Sequence, residues 1–170
     1  MIEVGTTAPD FELDSQLADK SYSLAQFKGE KNVMLVFYPL DWTPNWSTEM
    51  PDLQANLEDF KSADTQVLGI SVDSKFSHDN WASSLGGISF PLLADFHPKG
   101  AVATSFGVYH DDKGITDRAT IIIDKDGTVQ YAESAGIPGL RKAEDLLNEC
   151  RKVNGWSAAG TLLFSRMRFF

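Results

Sequence analysis

This chain of 170 residues has one cysteine, three histidines and no acidic residue after position 150. Each scarcity excludes something. A single Cys150 rules out an internal disulfide and a cysteine-built metal centre. His78, His97 and His110 are scattered without ligand spacing, so no zinc or iron site is expected. No apolar run approaches the length that crosses a bilayer. The first ten residues carry neither a basic segment nor an apolar one, so no secretory signal is read and a cytoplasmic location is expected. Without such a signal, the Asn45-Trp46-Ser47 sequon is a chance match.

What is present has the composition of a soluble domain, with a length that allows one sizeable core. The charge is unevenly spread. Residues 1–150 hold all 24 acidic side chains against 11 basic ones, whereas 151–170 holds Arg151, Lys152, Arg166 and Arg168. An acidic body of this kind is unsuited to nucleic acid. One domain is expected over 1–153. The stretch 154–170 is a basic, aromatic tail, either an arm that docks on the acidic body or a partner, or a loose terminus.

Periodicity supplies the elements. Pro9 to Leu13 and Lys20 to Leu24 alternate around a polar middle and predict a β-hairpin within 8–27. Ser23 to Gly29 is a short helical turn. Asn32-Val-Met-Leu-Val-Phe-Tyr38 and Gln66-Val-Leu-Gly-Ile-Ser-Val72 are buried strands. Between them Met50, Leu53, Leu57 and Phe60 mark one helix, with Ser47 or Thr48 as cap, Glu49 in the first turn and Pro51 early enough to be tolerated.

Beyond the second strand, Phe76, Trp81 and Leu85 mark a helix over 73–85. Phe90 to Leu93 is a strand placed at an edge by Pro91. Lys99 to Phe106 is a short helix. Arg118 to Ile123 and Thr128 to Ala132 form a hairpin about Asp124-Lys-Asp-Gly127, and Leu140 to Val153 is the last helix. Parallel βαβ units followed by an antiparallel hairpin predict an α/β fold with a mixed central sheet and helices on both faces, a thioredoxin-like fold with an N-terminal β-hairpin extension.

The segment Phe37 to Met50 is the centre of this pattern. It carries a Pro-punctuated loop from the end of a buried strand into the first turn of a helix, where open α/β sheets place their chemistry. Around it lie Ala8-Pro-Asp-Phe11, Val36-Phe-Tyr-Pro39, Pro39-x-x-x-Thr43, Gly69-Ile-Ser-Val-Asp73, Trp81, Phe90-Pro-Leu-Leu-Ala-Asp95 and Arg118-Ala-Thr-x-x-Ile-Asp124. In order and spacing, over roughly residues 3–153, these resemble the peroxiredoxins of the alkyl hydroperoxide reductase and thiol-specific antioxidant family. The bacterioferritin-comigratory and one-cysteine branches are the most similar.

The resemblance implies a thiol peroxidase that reduces hydrogen peroxide and alkyl hydroperoxides, with no cofactor and no metal. It also implies a thioredoxin-like reductant and a homodimer. The family motif Pro-x-x-x-Thr-x-x-Cys places Pro39 as the shield, Thr43 as a hydroxyl holding the peroxide, and Arg118 as the cation that stabilises developing charge. Peroxide or a small anion is then the expected occupant of a Thr43/Arg118 pocket. The nucleophile position of that motif holds Trp46, and Asn45 stands where the family has an apolar β-branched residue.

A thiol in the first turn of a helix is acidified by the dipole and by a nearby arginine. An indole has nothing to ionise, so two-electron peroxidase chemistry at position 46 is expected to be absent. Trp46 is expected to fill the peroxide pocket against Pro39, Thr43 or Arg118, or to serve, like Trp42, as an interface anchor. Cys150, on the apolar face of the last helix, reads as structural. Three functions remain in view. The first is a family peroxidase whose natural form has Cys at 46. The second is a pseudoperoxiredoxin acting as a binding or scaffold protein. The third is a redox sensor working through Cys150.

Overall fold

A computed structural model describes residues 1–155, apart from the side chains of Trp46 and Ser47. The expected contact of the Trp46 indole and the arrangement of the tail beyond Gly155 therefore lie outside the described residues. The central sheet has five strands in the order Leu92–Ala94, Thr65–Ser71, Asn32–Phe37, Ala119–Ile123, Val129–Ser134. Strand β3 (Asn32–Phe37) runs parallel to β4 (Thr65–Ser71), which runs parallel to β5 (Leu92–Ala94). Strand β8 (Ala119–Ile123) lies antiparallel to β3 and to β9 (Val129–Ser134). The mixed sheet is the expected one, and β5 lies at an edge, as Pro91 implies.

Strand β3 is buried along its whole length because both sheet faces are covered. Met34, Val36 and Tyr38 face a core made with α1 (Trp46–Ala55), α2 (Leu57–Ser62), α3 (Lys75–Ser84) and α5 (Ala143–Val153). Val33, Leu35 and Phe37 face a second core closed by α4 (Ala101–Ser105), the 3-10 turn Ala25–Phe27 and the N-terminal segment. Strands β1 (Glu12–Asp14) and β2 (Ser21–Ser23) form the expected hairpin.

Several local expectations are corrected. The helix expected through Phe60 is two helices that break at Asn56 (φ −101°, ψ 9°), whose side chain bonds back to the Asp52 carbonyl. Asn45, not Ser47 or Thr48, holds the cap position of α1, and Thr48 Oγ1 donates to the Asn45 carbonyl. Because the helix begins at Trp46, Pro51 lies inside it and withholds a backbone donor there. Phe76 is exposed, since α3 begins at Lys75 behind a Ser74 cap and buries His78, Trp81 and Ala82 instead. Helix α5 starts at Ala143, which leaves Leu140 exposed. A hairpin of β6 (Tyr109–His110) with β7 (Ile115–Thr116) was not expected.

Candidate active site

Strand β3 delivers the chain to a loop, residues 38–45, beside the C-terminal end of the sheet. Tyr38 and Pro39 are buried there. Asp41 turns inward and is 5% exposed. It accepts hydrogen bonds from the Tyr38 hydroxyl (2.8 Å) and the Ser77 hydroxyl (2.9 Å), and faces His78 Nδ1 at 2.8 Å. Its own N–H donates to Asp73 Oδ2 (2.8 Å). His78 Nε2 lies 3.1 Å from the Leu93 carbonyl, which can only accept, so that nitrogen carries a proton. Burial and the neighbouring Asp41 raise the pKa of Asp73, and burial, with Asp41 adding, pushes the Tyr38 hydroxyl well up.

These bonds fix a loop that is locally strained. Trp42 sits at φ +69°, a conformation costly for a bulky side chain; the residue is 56% exposed and its indole N–H donates to Ser77 Oγ (3.3 Å). Thr43 is half-buried, and its hydroxyl donates to the Leu40 carbonyl (3.1 Å). Helix α1 follows at once. Its cap residue Asn45 makes no side-chain cap bond; the Asn45 amide donates instead to the Pro138 carbonyl (3.4 Å).

A buried charge cluster backs the first turn of α1. Glu49 is 3% exposed and meets two guanidinium groups, Arg118 Nη1 at 3.3 Å and Arg141 Nη2 at 3.3 Å. The Arg141 N–H also donates to Glu49 Oε1 (2.6 Å). Arg118 arrives from the start of β8, because extending the β3–β8 register by two places sets it level with Tyr38. Its side chain is 2% exposed and donates through Nε (3.2 Å) and Nη2 (2.9 Å) to the Ile137 carbonyl.

Arg141 comes from the segment between β9 and α5. It donates through Nη1 to the Ala119 carbonyl (2.9 Å) and to Thr120 Oγ1 (3.1 Å). Burial lowers the pKa of both arginines, against the pull of Glu49, and takes Arg141 to about 10, so each stays charged at neutral pH.

Segment 135–142 thus lies across the N-terminal end of α1, held by Asn45, Arg118 and Glu49. Asp52 continues the series by accepting from the Ala143 N–H (2.8 Å), which caps α5 from α1. Of the residues expected from sequence, the structure brings Glu49 and Arg118 into contact. It places Pro39 and Thr43 in the loop before α1, with Trp42 at its surface. Arg141 and the Ile137 carbonyl were missed. One signal was available: Arg141-Lys142 precedes a helix N-terminus, the wrong end of the dipole for a cation without an acidic partner.

Cys150 lies away from this cluster, fully buried on α5 with Sγ 3.8 Å from Met34 Sδ. Burial pushes its thiol up to about 12. Among the described residues no group of His, Cys, Asp and Glu is placed to hold a metal. No helix among them is long and apolar enough to cross a membrane.

The model of the AhpC/TSA family matches residues 4–132, most of the chain and the whole of this loop, α1 and Arg118. The chain belongs to the AhpC/TSA family of peroxiredoxins. The alkyl hydroperoxide reductase E of Mycobacterium bovis is 41% identical over 133 residues, which cover 78% of this chain and 86% of that protein. The selenocysteine-containing peroxiredoxin PrxU of Peptoclostridium acidaminophilum is 35% identical over 157 residues, 88% of this chain and 76% of that one. Among solved structures, the reduced 2-Cys peroxiredoxin of Plasmodium vivax superposes with a TM-score of 0.83 at 30% identity, covering 91% of this chain and 83% of that one. The thioredoxin-like peroxiredoxin fold is therefore this chain's fold.

Proposed function

We propose that this peroxiredoxin carries a peroxide-reducing site that is complete except for the nucleophile at residue 46. Thr43, Arg118 and the first turn of α1 supply the binding and charge stabilisation, and Pro39 shields the site. Supporting this is the Glu49–Arg118–Arg141 cluster, which keeps two guanidinium charges buried behind the helix turn that bears residue 46. With Trp46 no chalcogen attacks the peroxide, so the chain as written does not turn over. With a thiolate there, sulfur takes one peroxide oxygen, the O–O bond breaks, the departing oxygen leaves as alkoxide or hydroxide and takes a proton, and the resulting sulfenic acid returns to thiol as a thioredoxin-like dithiol is oxidised to a disulfide and water is released.

The test is peroxide consumption by the chain as written and by Trp46→Cys. The former should match the rate without enzyme, and the latter should turn over. Arg118→Leu in that background should then lose on the order of 100-fold or more, as removal of a charge-stabilising donor does. An inactive, folded Trp46→Cys would leave a binding or scaffold protein. A sensor role for Cys150 is disfavoured by its complete burial and raised pKa. The protein acts in the cytoplasm as a homodimer, and exposed Trp42 is the side chain proposed to anchor the partner.

A further inference from the structure

We propose that residue 46 is selenocysteine in the protein as its cell makes it, encoded by UGA, and that tryptophan is the literal reading of that codon. The inference rests on the peroxide-reducing site above and names its nucleophile. UGA has three readings in biology: tryptophan in some genetic codes, termination in most, and selenocysteine where a selenoprotein signal accompanies it.

The chain has four tryptophans. Trp81 fills the core at 1% exposure, its ring 5.6 Å from that of Tyr38. Trp42 is hydrogen-bonded to Ser77 within the fixed loop. Both have contacts that suit an indole. Trp46 opens α1 at the family's nucleophile position. Trp156 opens the stretch where the composition changes from an acidic domain to a segment without acid. A UGA codon accounts for both, as selenocysteine at 46 and as termination after Gly155.

The surroundings of position 46 suit a selenolate. Two buried guanidinium groups, paired with Glu49, back the turn, and the cap residue Asn45 makes no side-chain cap bond to the first-turn N–H groups of α1. A selenol ionises well below a thiol, so in this field it is anionic at neutral pH. A relative 35% identical over 157 residues is itself a selenocysteine-containing peroxiredoxin.

The step balances as follows. The selenolate attacks one peroxide oxygen, an Se–O bond forms, and the O–O bond breaks. The departing oxygen leaves as alkoxide or hydroxide and takes a proton. Selenium is oxidised by two electrons to a selenenic acid while the peroxide is reduced. Two external thiols then return the selenol, giving a disulfide and water. They must be external, because Cys150, the one thiol of the chain, is buried.

The experiment reads codons 42, 46, 81 and 156 in the gene and the mass of the peptide spanning position 46 in protein purified from the source cells. The expected result is UGA at 46 and 156, UGG at 42 and 81, a selenium isotope pattern at 46, and a C-terminus at Gly155. UGG at 46, tryptophan mass at 46, or UGA at 42 or 81 as well overturns the inference; UGG at 156 overturns its termination half. The peroxidase reading fails separately, by an inactive Trp46→Cys, whatever the codon.

Discussion

Glu49→Ala is the perturbation that most directly probes the charge cluster. The carboxylate lies 3.3 Å from a nitrogen of each of two buried guanidinium groups. At an effective dielectric of about 20, each contact is worth roughly 5 kcal/mol of Coulomb attraction. That gross gain is offset by the desolvation of three charges and by repulsion between the arginines. Removal of the shared partner leaves two cations buried with their Glu49 contacts gone, and loss of one member of a buried pair costs about 3–5 kcal/mol.

A value near 4 kcal/mol is expected here, because Glu49 serves both arginines and also accepts the Arg141 N–H at 2.6 Å. Urea unfolding followed by circular dichroism measures it, and a domain of this size should lose about 10 °C in Tm. Glu49→Gln keeps an acceptor for that N–H and removes only the charge, so it should cost about half as much. A Glu49→Ala cost under about 1 kcal/mol, or a Gln variant as stable as the parent, would refute the view that the cluster is held by charge.

Two further outcomes follow from the geometry. The Cys150 thiol is raised from about 9 to about 12 by burial. Folding therefore retains a proton that the unfolded chain gives up: stability is fully present below pH 9 and falls between pH 9 and 12, by up to about 4 kcal/mol. Urea midpoints over that range should drop in the wild type and drop less in Cys150→Ala. Gly139→Ala would drive a Cβ into the Ala135 carbonyl oxygen, so segment 135–142 must reopen and pull the Ile137 carbonyl from Arg118. A cost of about 1–3 kcal/mol is expected, with faster hydrogen exchange confined to that segment.

The sheet was legible because β3, β4 and β8 are buried on both faces and so spell continuous apolar runs. The covering helices were legible where one apolar face continues, as in α5 with Ala143, Leu146, Leu147 and Cys150 buried. What failed was local. The break at Asn56 leaves the apolar spacing of Leu53, Leu57 and Phe60 intact, so periodicity runs straight through it. Strands β6 and β7 are two residues each, too short to show alternation.

The site was half legible. Glu49 and Arg118 carried recognisable spacing, but Arg141 lies 92 residues from Glu49 and reaches it only through the fold. The Ile137 carbonyl is backbone, which no side-chain pattern announces. The Asp41–His78 contact was equally silent, since a buried histidine and a scattered one look alike in sequence.

Electrostatics joins the cluster to position 46. Arg118 and Arg141 meet Glu49 directly and feel Asp117 as well, while the N-terminal end of α1 carries about half a positive charge. An indole at the start of α1 brings no charge to meet that helix end. A thiolate or selenolate in the same turn is stabilised by it and by any guanidinium field that reaches position 46, and both lower its pKa. A Trp46→Cys chain titrated against thiolate absorbance should accordingly show a pKa well below the ordinary cysteine value, and Arg118→Leu in that background should raise it. If the arginine variant leaves the thiol's pKa unchanged, the Arg118 charge does not act at position 46 and the electrostatic case for a chalcogen there falls.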